Sequence, residues 1–147
     1  MTIEQVTTFS SEISEAIKRL AAQIGDNYKP LTDEDIIEMI ASPTTYIMLA
    51  KAENGSIAGM ITVLVYRIPY VKKASFEDFI VDTSYRGQGI GSQLVEKAVA
   101  FAKEKGAAYI DFTSRPRRVD GNKLYEKLGF KKRETNVYRF VIDYAEV

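Results

Sequence analysis

The spacing of apolar residues divides the first half of the chain into two helices and a pair of strands. Apolar side chains recur every three to four residues over 13–24 and again over 36–40, each time behind a serine or threonine that suits a helix cap. Two β-branched runs, 46–52 and 57–68, are separated by a Glu-Asn-Gly turn and predict an antiparallel hairpin.

The second half alternates between extended and helical patterns. The remaining predicted elements are strands at 3–8, 75–82, 107–113 and 136–144, and helices at 89–105 and 117–128. The order strand, helix, strand, helix requires one parallel pair. The chain of 147 residues is therefore expected to form one α/β domain, with a mixed, mostly antiparallel sheet and helices on both faces.

A glycine-rich turn stands between the predicted strand 75–82 and the helix that follows it. Gly87, Gly89 and Gly91 leave the backbone bare where that helix begins, so its first N–H groups can face an anion. Arg86 adds a guanidinium that suits phosphate oxygens. The loop matches neither the dinucleotide fingerprint nor the P-loop. It predicts a phosphate site, although glycines that only form a turn would give the same pattern.

A second motif, NKLYEKLGF at 122–130, follows the loop after a predicted helix and strand. The pair V-x4-R-G-x-G-I-G and L-Y-E-K-L-G-F resembles the GNAT superfamily of acyl-CoA-dependent N-acyltransferases, over residues 46–140. The resemblance implies that two neighbouring strands splay apart, that coenzyme A enters the gap, and that the loop 86–91 holds its pyrophosphate.

The resemblance also implies roles for single residues. Tyr125 is the expected general acid, because a phenol with a pKa near 10 can give its proton to a departing thiolate. Without the motif it would be taken for a core tyrosine. Gly121 stands where many GNAT sequences carry alanine. The expected cofactor-binding residues are Phe79, Ile80, Val81, Arg86, Gly87, Gln88, Gly89, Ile90, Gly91, Ser92, Asn122 and Tyr125.

Amide synthesis from a thioester also needs a base for the amine and donors for the oxyanion. Glu77 is the first choice for the base, since matching family members often carry a carboxylate there that acts through water. It could instead form an ion pair with a basic neighbour. Asp78 faces the other side of an ideal strand and would replace Glu77 if the strand bulged. The N–H of Phe79 or Val81 would meet the oxyanion.

Composition narrows the chemistry further. Twenty basic residues balance twenty acidic ones, so nucleic acid is an unexpected partner. The absence of cysteine and histidine excludes disulfides, the usual zinc sites, a thiol nucleophile and an imidazole base, and we expect no metal. No apolar run approaches the ~18 residues of a membrane span, so a cytoplasmic protein without a membrane partner is expected.

The expected function is direct transfer of an acetyl group from acetyl-CoA to a primary amine, on a small molecule or a peptide. A catalytically silent acyl-CoA-binding sensor or regulatory module, and an interaction domain with structural glycines, are the other hypotheses. Homodimerisation through the last strand is left open. Residues expected to border the acceptor are Tyr28, Tyr66, Arg67 and Tyr70. A basic cluster, expected to contact a phosphate or an acidic acceptor or else to be solvated, comprises Arg115, Arg117 and Arg118.

Overall fold

A computed structural model of the protein describes residues 1–25 and 29–147. The elements in chain order are β1 (Thr2–Gln5), α1 (Ser11–Ile24), α2 (Asp33–Ala41), β2 (Thr45–Lys51), β3 (Ile57–Arg67), β4 (Lys72–Val81), α3 (Ile90–Glu104), β5 (Ile110–Asp111) and α4 (Val119–Lys127). A short 3₁₀ turn, Thr83–Tyr85, joins β4 to the glycine loop.

Hydroxyl caps set the start of the first two helices, as the sequence predicts. The Ser10 side chain accepts a hydrogen bond from the Ile13 N–H at the start of α1. Thr32 and Asp35 form a reciprocal capping box at the start of α2, which satisfies two N–H groups that a helix leaves open.

The five strands form one sheet in the order β1-β2-β3-β4-β5. The first three pairs are antiparallel, whereas β4 and β5 run parallel. That parallel pair is short, because it joins only Ala74 to Ile110 and Ser75 to Asp111. Beyond Ser75 the two strands separate, so β5 is shorter than the predicted strand at 107–113. The predicted mixed, mostly antiparallel fold with two splayed strands is confirmed.

Two apolar layers cover the sheet. On one face, α3 packs Leu94, Val95 and Ala98 against Ile61 and Phe76. On the other face, α1 and α2 contribute side chains that include Leu20 and Ile36, which are fully buried with Leu49, Met60 and Ile80. Each such large aliphatic side chain stabilises the fold by about 1.5–3 kcal/mol on burial. The two layers fix β4 from both sides, and β4 carries most of the candidate site.

The predicted last strand at 136–144 is wrong. Residues 131–142 belong to no helix or strand, and their backbone makes no hydrogen bond to any other part of the described chain. An alternating sequence becomes a strand only where a neighbouring strand satisfies its N–H and C=O groups. Among residues 1–25 and 29–147 this segment has no such neighbour, and apolar side chains such as Phe140 remain exposed.

Candidate active site

A β-bulge in the middle of β4 sets the direction of the side chains around the splay. Glu77 pairs with Thr62 and Ile80 pairs with Met60, so Asp78 and Phe79 together stand opposite a single residue of β3. Asp78 takes a positive φ of 49°, a conformation that aspartate tolerates better than most residues. The bulge shifts the alternation, so that Phe79 packs on the α3 side together with Phe76 while Ile80 packs under α1 and α2.

The open edge of β4 presents two backbone donors to the gap left by β5. The N–H of Asp82 donates to the carbonyl of Ala58 in β3. Because N–H groups alternate between the two edges of a strand, those of Val81 and Phe79 point away from β3 and into the gap. The Nε of Arg86 donates to the Val81 carbonyl at 3.3 Å, from the same open side. Both predicted oxyanion donors therefore lie on the open edge.

The two predicted base candidates lie side by side at the bulge. Crowding by protein atoms raises the pKa of Glu77, and the charge of Asp78 raises it further. Burial likewise raises the pKa of Asp78, against the opposing effect of the Arg118 charge. Both carboxyls still reach solvent, so they lie in an open recess rather than in the core. Among the described residues Glu77 forms no ion pair, and its one partner is the Ser75 hydroxyl at 3.4 Å.

Tyr125 lies in a cluster of aromatic rings at the splayed edge. Its ring centroid is 4.6 Å from that of Phe112, 6.0 Å from that of Phe130 and 6.1 Å from that of Phe79. Burial raises the pKa of Tyr125, with Arg118 opposing the shift, so the phenol keeps its proton at neutral pH. The cluster around the Tyr125 ring thus includes Phe79, the same residue whose N–H faces the gap.

The glycine loop presents a row of uncommitted backbone donors. Within the described chain, no N–H from Gly87 to Ser92 donates to another backbone or side-chain group, and α3 has no side-chain cap. Gly87 and Gly89 take positive φ angles of 77° and 78°, and a Cβ added to either would meet no atom within 4 Å. Open space, free donors and the positive end of a helix dipole suit the pyrophosphate of an acyl-CoA.

The third glycine has a different role, because it packs against the sheet. A Cβ at Gly91 would lie 3.2 Å from Phe79 Cζ, 3.4 Å from Leu124 Cδ2 and 3.6 Å from Val81 Cγ2. An alanine at this position would require the Phe79 ring to shift by a few tenths of an ångström, and a larger side chain would require more. Gly91 therefore allows the start of α3 to approach the residues that surround Tyr125.

Sequence reasoning missed a polar cluster that holds the turn before the loop, which we call the Asp82 cluster (Arg19, Gln23, Asp82 and Ser84). The buried Asp82 carboxylate accepts hydrogen bonds from the Ser84 N–H at 2.9 Å, from Gln23 at 3.3 Å and from the Arg19 guanidinium. Gln23 also accepts from the N–H of Thr83. These contacts, first among them the Ser84 N–H, lower the pKa of Asp82. Helix α1 thereby fixes the end of β4.

A second missed residue is Ser114, which follows β5. Its hydroxyl oxygen is buried and, among the described residues, is the one buried side-chain nitrogen or oxygen without a hydrogen-bond partner. Buried hydroxyls normally find a partner, so an unsatisfied one at the end of the splayed strand suits a polar ligand group. A lone serine in a loop gives no sequence signal for this role.

The structure places other predicted residues elsewhere. Ile80 is enclosed in the core under α1 and α2. The Asn122 amide donates to the Arg115 carbonyl at 3.1 Å and so holds the loop before α4. Arg118 donates to the Ile24 carbonyl at the end of α1. Gln88, Ile90 and Ser92 remain in the loop and the first turn of α3.

The residues predicted to border the acceptor are not brought to the splay. Tyr66 and Arg67 end β3 opposite Lys73 and Lys72, at the start of β4. The five residue-to-residue steps from Lys72 to Glu77 correspond to roughly 17 Å of strand. Tyr70 lies in the turn between these strands and is almost fully exposed. Tyr28 lies outside the described residues.

A family model for the Acetyltransferase (GNAT) family matches residues 14–130. The chain belongs to the GNAT acetyltransferase family. The match spans the glycine loop, the bulge and the Tyr125 helix, and it agrees with the resemblance that the two motifs indicate. Within described residues no helix is long and apolar enough to cross a membrane, and no cluster of three potential ligands from Asp, Glu, His or Cys is found.

Relatives of this chain carry acetyltransferase names. The chain is 31% identical over 109 residues to a Bacillus subtilis protein with the provisional name phosphinothricin acetyltransferase, covering 69% of this chain and 64% of that one. It is 29% identical over 84 residues to an otherwise uncharacterised N-acetyltransferase of Methanocaldococcus jannaschii, covering 55% and 37%. The chain thus spans less than two thirds of the length of these relatives.

A solved structure confirms the fold. Glucosamine-6-phosphate N-acetyltransferase from Arabidopsis thaliana superposes with a TM-score of 0.78 over 97% of this chain and 100% of that one, at 21% identity. At this identity the likeness concerns the fold alone.

Proposed function

We propose that residues 1–147 form one acetyltransferase domain that transfers an acetyl group from acetyl-CoA directly to a primary amine. The observation that carries this proposal is the unbroken row of free N–H groups from Gly87 to Ser92, at the start of α3 and beside the splayed edge of β4. This arrangement suits the phosphates and the extended arm of an acyl-CoA.

Several groups would hold the co-substrate. The loop donors and Arg86 would bind the pyrophosphate, and the open edge of β4 together with the Ser114 hydroxyl would meet polar groups of the pantetheine arm. The Oδ1 of Asn122 could still accept a hydrogen bond, since only its amide nitrogen is engaged with the loop. Acetyl-CoA supplies the activated acyl group.

The residues at the splay would then manage charge and protons. An alkylammonium with a pKa near 10.4 loses about 4–5 kcal/mol when it must react as the free amine at pH 7, and Glu77 would take its proton through water. The amine nitrogen attacks the thioester carbonyl, whose oxygen accepts from the N–H of Phe79 or Val81. As the carbon–sulfur bond breaks, the leaving thiolate would take the proton of the Tyr125 hydroxyl. The second proton of the attacking nitrogen would then pass through water to the tyrosinate, which restores the acid and leaves a neutral amide.

The raised pKa values fit these roles. A carboxyl whose pKa lies above its ordinary value is a stronger base, provided that it is ionised at the working pH. A phenol whose pKa is raised stays protonated until the thiolate forms. Because the strand does bulge at Asp78, this carboxylate is an equal candidate for the base, beside Glu77 and within the electrostatic reach of Arg118.

Thiol release from acetyl-CoA, measured over a panel of amines, tests the activity. The panel should hold amino acids, polyamines, aminoglycosides, peptide N-termini, glucosamine 6-phosphate and phosphinothricin. Because the chain has no cysteine, the protein contributes no thiol to the signal. Turnover with at least one amine is expected. Tight binding of acetyl-CoA without turnover on any amine would favour the silent binding module instead.

Two matched glycine variants test the loop. Gly89 and Gly55 both have a positive φ, 78° and 86°, and open space around the missing Cβ. Replacing either by valine therefore imposes similar backbone strain, of about 1–2 kcal/mol or more for a β-branched residue. Only Gly89→Val should weaken acetyl-CoA binding, by at least about tenfold in titration calorimetry. Equal affinities in the two variants would remove the phosphate role of the loop.

A further inference from the structure

Arg118 is a half-buried arginine for which the acetyl transfer described above has no role. Its Nη2 donates to the Ile24 carbonyl at 2.9 Å, and this is the one contact that its guanidinium, with five N–H donors, makes within residues 1–25 and 29–147. No carboxylate of the described chain forms an ion pair with it. A charge that is partly withdrawn from water is costly when no opposite charge contacts it, so the free donors suit an anion.

The guanidinium lies beside the recess that holds the candidate bases and the acid. Arg118 precedes α4 and Tyr125 is seven positions further on, so the two lie about two turns apart along one side of that helix. Burial raises the pKa of Asp78 and that of Tyr125, and the Arg118 charge opposes both shifts. The recess therefore has a positive end at Arg118 and a negative end at Glu77 and Asp78.

The contact with Ile24 separates Arg118 from the phosphate loop. Ile24 is the last residue of α1, which covers the face of the sheet opposite α3. The glycine loop leads into α3 instead, and its free donors and Arg86 already suit the pyrophosphate. A positive charge at the end of α1 is thus placed for the acceptor rather than for the co-substrate.

We propose that Arg118 selects acceptors that carry an anionic group, a carboxylate or a phosphate, on the same molecule as the reacting amine. This inference rests on the proposed acetyl transfer and names its acceptor class. The planar fork of the guanidinium matches two oxygens of either anion. With the anion at Arg118, the ammonium is directed towards Glu77 and Asp78. A purely cationic acceptor would bring a second positive charge to Arg118 and is disfavoured.

Matched acceptors test this selection and distinguish the two anions. α-Amino acids are compared with their carboxamides, and glucosamine 6-phosphate with glucosamine, by kcat/KM from thiol release. The anionic member of at least one kind of pair should be preferred by at least about tenfold, which corresponds to about 1.4 kcal/mol. Turnover of amines without such a preference would overturn this acceptor class alone. No turnover with any amine would overturn the acetyl transfer and the acceptor class together.

Arg118→Gln removes the guanidinium, and Lys123→Gln is the matched control. Lys123 is an exposed residue of the same helix, so its loss changes the net charge equally. The preference should fall by at least about tenfold in Arg118→Gln and by less than about twofold in Lys123→Gln. Arg118→Lys keeps the charge without the fork and should lie between native protein and Arg118→Gln. Because each preference compares two acceptors on one protein, a smaller folded fraction does not alter it.

Calorimetric titration with acetyl-CoA separates an acceptor contact from a co-substrate contact. Its Kd should change by less than about threefold in Arg118→Gln. A weaker Kd with an unaltered preference would make Arg118 a phosphate ligand of the co-substrate and would overturn the proposal. Equal effects of Arg118→Gln and Lys123→Gln on the preference would also overturn it, since they would assign the selection to net charge.

Discussion

Replacing Asp82 by asparagine tests whether α1 positions the glycine loop. Asparagine keeps the shape of the side chain and one oxygen that can accept from the Ser84 N–H, but it removes the charge that Arg19 contacts. The expected result is a less stable protein that also binds acetyl-CoA more weakly, because the turn of Thr83–Tyr85 leads directly into the loop.

The magnitude follows from the contacts of the buried carboxylate. A hydrogen bond to a charged group contributes about 1.5–3 kcal/mol when buried. Because the Arg19 side chain is 45% exposed, solvent screens the Arg19–Asp82 ion pair. Its contribution to stability is therefore ~1 kcal/mol or less, as in a surface pair. A loss of about 1–2 kcal/mol in the free energy of unfolding should lower Tm by about 2–8 °C for a chain of this size. If about 1 kcal/mol of this loss destabilises the loop conformation that binds acetyl-CoA, Kd for acetyl-CoA rises about fivefold.

The pH dependence of stability gives a second readout. The pKa of Asp82 is lower in the folded than in the unfolded chain, so its charge stabilises the fold above the unfolded pKa. That stabilisation is lost as pH falls through the folded pKa. The difference in unfolding free energy between native protein and Asp82→Asn should therefore be constant near neutral pH and shrink below about pH 4.

Asp33→Asn is the control for binding. Asp33 accepts from the Ser14 hydroxyl and from Lys18, so it also ties α1 to a neighbouring element, but that element is α2 and not the loop. Calorimetric titration should show an unchanged Kd for this variant. If both variants weaken acetyl-CoA binding equally, or if Asp82→Asn leaves Kd unaltered, the Asp82 cluster does not position the loop.

Four further substitutions test the splay and the helix that carries Tyr125. Tyr125→Phe should lower kcat by at least about a hundredfold with less than about a threefold change in Kd for acetyl-CoA; a fall in Tm with an unchanged rate would make the residue structural. In Glu77→Gln the rate at neutral pH should be lost, and it should return as rising pH supplies the free amine. Asp78→Asn should shift the acidic limb of kcat/KM to lower pH, because removing that charge lowers the pKa of Glu77; loss of the rate instead would make Asp78 the base. Gly121→Ala should raise Tm by about 2–4 °C, because alanine adds up to about 1 kcal/mol of helix propensity. The new Cβ would lie 3.8 Å from Tyr125 Cε2, which is an ordinary contact. A lower Tm would show that the site needs glycine.

Local features of the site could be predicted from the sequence, because they depend on neighbours in the chain. Glycines before an amphipathic helix indicate an open helix start wherever that helix lies. The same holds for the hydroxyl caps at Ser10 and Thr32. The helix at Tyr125 needs only its own periodicity to be predicted, and the structure gives it as Val119–Lys127.

Features that depend on pairing between distant segments could not be predicted. The bulge at Asp78 follows from the register of β4 against β3, which side-chain alternation alone cannot reveal. The buried Asp82 depends on Arg19, which lies beside it but some sixty positions earlier in the chain. In the sequence, a single aspartate after a strand indicates only an ordinary turn residue. The last strand was predicted from a genuine alternation, but a strand also requires an available edge.

The close packing at Gly91 has a consequence for how related sequences can vary. The hydrogen of this glycine faces Phe79, Leu124 and Val81, so the space at position 91 is limited whether or not its N–H binds phosphate. A homologue with alanine at 91 should carry a smaller side chain at 79 or 124, and the three positions should covary in size across an alignment. Gly87 and Gly89, with open space around them, should vary independently of those neighbours.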